Sequence, residues 1–181
     1  MNTRKTLITA LFTGLIIVGT FIRVPLPPVP ITLQTLFVIF AALVGGLQVG
    51  LTSFIVYLIL GTIGLPIFSS GGGLGALIGP TGGFLFGMLL STIIAGIFSD
   101  ISKKKENKLP YFIIGGILAT IAIYLIGVPW LKISTNMEWD KTIKVGVLPF
   151  LIGDTIKLII AILLSMKFYN RIHELVIPEE E

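Results

Sequence analysis

Residues 146–168, with the sequence GVLPFLIGDTIKLIIAILLSMKF, form an apolar stretch of 23 residues that carries one acid and one base near its middle. A transmembrane helix needs about 20 mostly apolar residues, so this stretch predicts a membrane-spanning helix. Working outward, five more stretches qualify or nearly qualify. The six predicted spans are 6–24, 31–45, 47–65, 79–99, 110–128 and 146–168. Gly45 and Gly46 leave almost no loop between the second and third spans, which predicts a tight helical hairpin there.

The overall composition supports an all-α integral membrane protein built as a single domain over residues 1–181. Hydrophobic residues make up 54% of the chain and charged residues 12%, and the mean hydropathy is +1.01. Soluble domains have about 25% charged residues, and a short chain cannot bury this much apolar surface within itself. The composition therefore excludes a soluble enzyme, a disordered linker and a nucleic-acid-binding domain. It also excludes metal sites built from Cys ligands or from several His ligands, because the chain has no Cys and one His.

The distribution of basic residues predicts that both termini are cytoplasmic. Cytoplasmic segments of membrane proteins carry an excess of Lys and Arg. Four basic residues fall on the opposite side: Arg23, Lys132, Lys141 and Lys144. Eight fall on the side of the termini: Arg4, Lys5, Lys103, Lys104, Lys105, Lys108, Lys167 and Arg171.

Three connections on the predicted outer side are unusual because they are apolar as well as rich in helix breakers. They cover residues 24–30, which are rich in proline, residues 65–78, which are rich in glycine, and residues 128–145. Solvated loops are normally polar, so we expect these to pack onto the protein as a lid or a wall of a site. Trp130 and Trp139 in the third connection are typical of aromatic anchors at a membrane interface.

Asp154 and Lys157 are the strongest candidates for a functional site, since an ionisable residue within a span costs about 2.5–3.5 kcal/mol on insertion scales. They are three residues apart and therefore share one helical face. One interpretation is a polar clamp for a solute, because a carboxylate accepts N–H donors and an ammonium binds carbonyl or carboxylate oxygens. Two others are an ion pair that only fixes the sixth span to its neighbours, and a lysine that reaches toward an interface.

Rows of small residues on two spans predict close helix packing. The row on span four is Gly79, Gly83, Gly87, Ser91 and Ala95, each four residues from the last. At its start, glycines leave backbone N–H groups open to a ligand, although the phosphate-binding pattern of an ATPase is missing from the sequence. On span one, Ala10 and Gly14 form a smooth face that packs either internally or against another membrane protein. Lone His173 is expected to be a solvated interface residue.

Three stretches together resemble one family. They are PVPITLQT at residues 28–35, the glycine-rich segment at residues 61–83, and GDTIK at residues 153–157. In order and spacing they are similar to the BioY family, the biotin-binding S components of energy-coupling-factor (ECF) transporters, and the similarity covers nearly the whole chain. The resemblance implies six transmembrane helices with cytoplasmic termini in a prokaryotic plasma membrane, and biotin as transported ligand with no cofactor.

The resemblance also implies a biotin site near the outer face and a set of partners. Candidate biotin-binding residues are Asp154, Lys157, Gly72, Gly73, Gly75, Phe68, Thr81, Gly83, Phe84 and Gln34. An S component does not hydrolyse ATP; it docks on a membrane coupling protein of the EcfT or BioN type that carries two cytoplasmic ATPases. Ala10 and Gly14 map to the small-residue row through which members of the family dock. Gly14 departs from the usual Ala, and Phe84 replaces a Tyr that many relatives have.

Three alternatives remain open on the sequence. The chain resembles an S component closely enough that another vitamin is a possible ligand. Asp154 and Lys157 also suit an intramembrane enzyme, with Asp154 as a base and Lys157 as an electrophile or nucleophile, although no further acid or metal ligand lies in the spans. A third alternative is a structural subunit whose Asp–Lys pair is an assembly contact.

Overall fold

The computed structural model describes residues 3–176, which form a bundle of long helices with short elements at one end. In chain order the elements are α1 (Thr3–Phe21), β1 (Arg23–Val24), β2 (Ile31–Thr32), α2 (Gln34–Thr62), α3 (Leu74–Ile78), α4 (Gly82–Ser102), α5 (Leu109–Thr135), α6 (Trp139–Gly146) and α7 (Leu148–Val176). Among the described residues, five stretches are long and apolar enough to cross a membrane. The prediction of an apolar, helical membrane protein is confirmed, and the described residues add a two-strand ribbon and an isolated bridge between Phe68 and Gly71.

Helix α2 covers the second and third predicted spans and reverses direction at Gly46. Gly46 has a φ of 72°, which is not helical and which favours glycine. A Cβ built on Gly50 would lie 2.5 Å from Cα of Ala42, although residues eight apart on a straight helix are about 12 Å apart. The arms 34–45 and 47–62 therefore lie side by side, with the reversal at the predicted glycines.

The end of α4 holds this reversal together through two polar residues. Ser99 Oγ donates to the carbonyl of Leu43 at 2.6 Å, and the Asp100 carboxylate accepts the N–H of Leu47 at 3.3 Å. Both bonds satisfy backbone groups that a helix end leaves without a partner. Asp100 also pairs with Lys103 at 2.7 Å. We call this end of the bundle the hairpin end, and the opposite end, which carries β1 and β2, the ribbon end.

The small residues of α4 form a packing surface for α5. A Cβ on Gly87 would lie 2.7 Å from the carbonyl oxygen of Ile123, and one on Gly83 would lie 2.1 Å from Cβ of Trp130. Trp130 also donates its indole N–H to the carbonyl of Gly79 at 3.0 Å. The Trp130 ring therefore packs against the start of α4, and its position at a membrane interface stays a prediction.

The segment between the fifth and sixth predicted spans is mostly helical rather than a long loop. Helix α5 continues beyond residue 128 to Thr135, with Pro129 inside it, and α6 follows. Pro129 removes one backbone donor, but Leu131 two residues later is fully buried, so packing holds the extra turns in place. Asn136 then ends α5 in the left-handed conformation with a φ of 51°, a common helix stop.

His173 is also placed differently from the prediction of a solvated residue. Helix α7 runs past residue 168, so His173 lies within it, half-buried at the hairpin end. The His173 ring stacks on the Tyr169 ring, with the centroids 4.4 Å apart. Nζ of Lys108 lies over the Tyr169 ring, 5.2 Å from its centroid. Aromatic packing rather than solvation fixes this residue.

The proline-rich and glycine-rich connections at the ribbon end pack onto the bundle, as their apolar sequences predict. Val29, Ile67, Phe68 and Ala76 are all less than 10% exposed. In the ribbon, Val24 pairs with Ile31, which returns the chain to the start of α2. The two connections therefore form a packed cover over one end of the helices.

Candidate functional site

Asp154 and Lys157 form a buried ion pair on the inner face of α7. Their spacing places them one turn apart, and Nζ of Lys157 lies 2.8 Å from Oδ1 of Asp154. The side chains are 13% and 9% exposed, respectively. A pair this well buried is costly unless its remaining bonding capacity is used.

Tyr124 on α5 takes up part of that capacity. Its hydroxyl donates to Oδ2 of Asp154, so both carboxylate oxygens are bonded and α5 is fixed to α7. The result is a compact cluster with no net charge that still presents an ammonium, a phenol and a carboxylate to its surroundings.

This cluster lines an internal cavity bounded by α2, α4, α5, α7 and the ribbon-end connections. The cavity volume is about 40 Å³, enough for roughly three water molecules. Five predicted site residues line it: Gln34, Thr81, Phe84, Asp154 and Lys157. Most of the remaining wall is apolar, including Met88, Ile123 and Phe150. An apolar chamber with a few convergent polar groups is typical of a small-molecule site.

The start of α2 supplies two polar atoms with no bonding partner among the described residues. They are Nε2 of Gln34 and Oγ1 of Thr35, both buried and both in residues that line the cavity. The Tyr57 hydroxyl is close enough to interact with the Gln34 side chain. Its hydrogen bonds, however, are to the Thr20 hydroxyl at 3.3 Å and to the carbonyl of Ile67 at 3.2 Å. Buried polar atoms are normally bonded, so these two are where a ligand would complete the network.

Five other predicted site residues lie outside the lining of this cavity: Gly72, Gly73, Gly75, Phe68 and Gly83. Phe68 is 2% exposed and packs against Tyr57, with the ring centroids 5.3 Å apart. Gly73 donates its N–H to the carbonyl of Gly61 at 2.7 Å, which fixes the start of α3. These positions shape the glycine-rich cover and its attachment to the helices.

Sequence reasoning missed Tyr124, Thr35, Met88 and Phe150. Tyr124 had a signal, because it places a hydroxyl within an apolar span, but a phenol is neutral and far less unusual there than a charged side chain. Met88 and Phe150 had none, because apolar residues in an apolar span do not differ from ordinary core residues.

The face of α1 that carries Ala10 and Gly14 points away from the bundle. A Cβ built on Gly14 would meet no atom within 4 Å. The large neighbours on this face, Leu7, Leu11 and Val18, are 65%, 57% and 51% exposed. The described structure therefore leaves a smooth apolar surface here.

Comparison with known proteins gives the same family throughout. The BioY family model matches residues 1–174. A biotin transporter BioY of Thermotoga maritima is 38% identical over 165 residues, covering 91% of this chain and 95% of the relative. A probable biotin transporter BioY of Pyrococcus horikoshii is 36% identical over 166 residues, covering 91% and 96%.

A solved structure shows the same architecture. It is the S-component for biotin from an ECF-type ABC transporter, and it aligns with a TM-score of 0.84 at 27% identity, covering 94% of this chain and 95% of that one. A family match over nearly all of the sequence, with a matching fold, settles the membership: this chain belongs to the BioY family.

Proposed function

We propose that this protein captures biotin as the S component of an ECF-type transporter, in the cavity formed by α2, α4, α5 and α7. The observation that carries the proposal is the cluster of Tyr124, Asp154 and Lys157, which has no net charge and lines the same cavity as the polar side chains of Gln34 and Thr35. The relatives and the matching structure are named for biotin, which supports that ligand over another vitamin.

The cluster suits the ureido head of biotin, which has two N–H donors and one carbonyl acceptor. Asp154 accepts one N–H, and the hydroxyl of Thr35 accepts the other. Lys157 and the amide of Gln34 donate to the carbonyl. Phe84, Met88 and Phe150 supply apolar surface for the thioether ring.

We propose that the cover moves when biotin binds, because the cavity is narrow compared with typical ligand pockets of about 300 Å³ or more. A volume of about 40 Å³ holds a few waters. We propose that the ribbon and the glycine-rich connection, including Gly72, Gly73 and Gly75, lift and close again over the ligand. Phe68 remains packed on Tyr57 and anchors the base of this lid, while Thr81 and Gly83 hold its far end at α4.

The proposed topology has six membrane crossings, with both termini cytoplasmic in a prokaryotic plasma membrane. The reversal at Gly46 supports two crossings within α2, and α6 and α7 supply one crossing together. The basic loop 103–108 lies at the hairpin end, so the cavity at the ribbon end opens outward under the positive-inside rule.

The proposed partners are a membrane coupling protein of the EcfT or BioN type and its two cytoplasmic ATPases. The exposed face around Ala10 and Gly14 supports docking there, because small residues let helices approach closely. The chain itself carries no phosphate-binding pattern for ATP.

Calorimetric titration of the purified, dialysed protein tests the proposal. We expect about one biotin per chain and no heat with riboflavin or thiamine. Mass spectrometry of the released ligand is expected to show unchanged biotin, which separates transport from intramembrane catalysis. A folded, monodisperse sample that gives no heat with biotin would refute the assignment of the ligand.

A further inference from the structure

Arg23 joins the proline-rich and the glycine-rich connections that cover the cavity. It begins β1 at the ribbon end, and its Nη1 donates to the carbonyl of Ser69 in the glycine-rich connection. The two residues are 46 positions apart in the chain, so this bond crosses from one side of the cover to the other.

A groove beside Arg23 shares a wall with the site cavity. Its volume is about 310 Å³, and it is lined by Arg23, Pro25, Leu26, Pro27, Pro30 and Ser69. Pro30 and Ser69 line the site cavity as well. We call this shared wall the mouth, because displacing it joins the groove to the cavity.

Arg23 is the one ionisable side chain in the described lining of the groove. A guanidinium has five N–H donors in a planar fork that matches a carboxylate, and the bond to Ser69 uses one of them. No acid stands beside Arg23 in that lining, so its charge is available to an anion that enters the groove.

The far side of the cavity is a poor place for an anion. Lys157 is already bonded to Asp154 at 2.8 Å, so a carboxylate there would place two negative groups around one ammonium. Two carboxylates that share one buried ammonium repel each other, which makes ionisation of both strongly unfavourable. A neutral ureido head fits this end of the cavity, and the tail carboxylate is then directed toward the mouth.

We infer that Arg23 binds the carboxylate of the ligand's tail at the mouth, and that it selects an anionic ligand over a neutral one of the same shape. This inference rests on the proposed function. It assigns the ureido head to Asp154 and Lys157 and leaves Lys157 no part in recognising the carboxylate.

The test compares the affinities of biotin and biotinamide, which differ only in the charge of the tail. We expect the unmodified protein to prefer biotin about fivefold, the size of a partly solvated charge-assisted contact. Arg23→Gln is expected to bring the two affinities within about twofold, and Arg23→Lys to keep part of the preference. The control Lys144→Gln removes a cation that lines neither cavity nor groove and is expected to change nothing.

Lys157→Met tells the role of Lys157 apart from that of Arg23, because it should lower the affinities for biotin and for biotinamide by the same factor. A preference that survives Arg23→Gln in a folded sample, or that disappears in Lys157→Met, overturns the inference and leaves biotin binding itself intact. If the unmodified protein binds neither compound, the proposed function fails, and the inference fails with it.

Discussion

Replacing Lys157 with Met tests the central cluster in both stability and binding. The side chain is 9% exposed and its ammonium lies 2.8 Å from Asp154, so the substitution leaves a buried carboxylate bonded only to Tyr124. Removing one partner of a buried pair costs about 3–5 kcal/mol. The surviving Tyr124 bond favours the lower end, about 3 kcal/mol, which for a chain of this length lowers Tm by about 6–12 °C.

Biotin binding is expected to weaken for a separate reason, the loss of a charged donor to the ureido carbonyl. Such a bond contributes about 1.5–3 kcal/mol, which corresponds to a 10- to 150-fold higher Kd. Thermal unfolding in detergent and calorimetric titration measure the two effects independently. In the double variant with Asp154→Asn, stability should largely recover, because no unpaired charge remains, while binding stays weak.

Lys144→Met is the matched control. Lys144 pairs with Asp140 at 2.6 Å, but the two side chains are 64% and 81% exposed. Exposed pairs contribute about 0–1 kcal/mol, so this variant should unfold and bind like the unmodified protein. If Lys157→Met also unfolds and binds normally, the buried pair is not part of the site and our reasoning is wrong.

Four further substitutions test other parts of the structure. Tyr124→Phe removes only the hydroxyl that bonds to Asp154, and we expect about 3- to 10-fold weaker biotin binding by calorimetry. Gly46→Ala should lower Tm, because φ is 72° and the new Cβ would lie 2.4 Å from Oδ1 of Asp100; a cost of about 1–3 kcal/mol is expected from the backbone alone. Gly14→Leu should leave biotin binding unchanged but abolish uptake in cells that express the coupling proteins, whereas Gly87→Leu, whose Cβ would meet the backbone of α5, should prevent folding.

Each of these has a clear contrary result. Unchanged affinity in Tyr124→Phe would mean that Asp154 needs no second partner when biotin is bound. An unaltered Tm in Gly46→Ala would show that the chain does not reverse there. Normal uptake with Gly14→Leu would place the docking surface elsewhere than on α1.

Local sequence was sufficient for the parts of the fold that depend on composition and short spacings. Apolar stretches of about 20 residues must be helical in lipid, because every backbone group needs a partner within the segment. Two adjacent glycines allow a reversal that other residues resist, and the break falls at Gly46 as predicted. Asp154 and Lys157 were found because charge within a span is rare, and their spacing of three residues places them on one helical face.

The site as a whole depended on contacts between residues far apart in the sequence. Tyr124 bonds to a residue 30 positions away, and Arg23 to one 46 positions away. No local pattern encodes such a pairing, because it is set by how the helices and connections pack. The same holds for the glycines of residues 72–75, whose contacts shape the cover and whose predicted contact with the ligand stays a prediction. The sequence by itself determined the membrane helices and the buried ion pair, whereas only the tertiary structure decided which side chains surround that pair and which residues cover it.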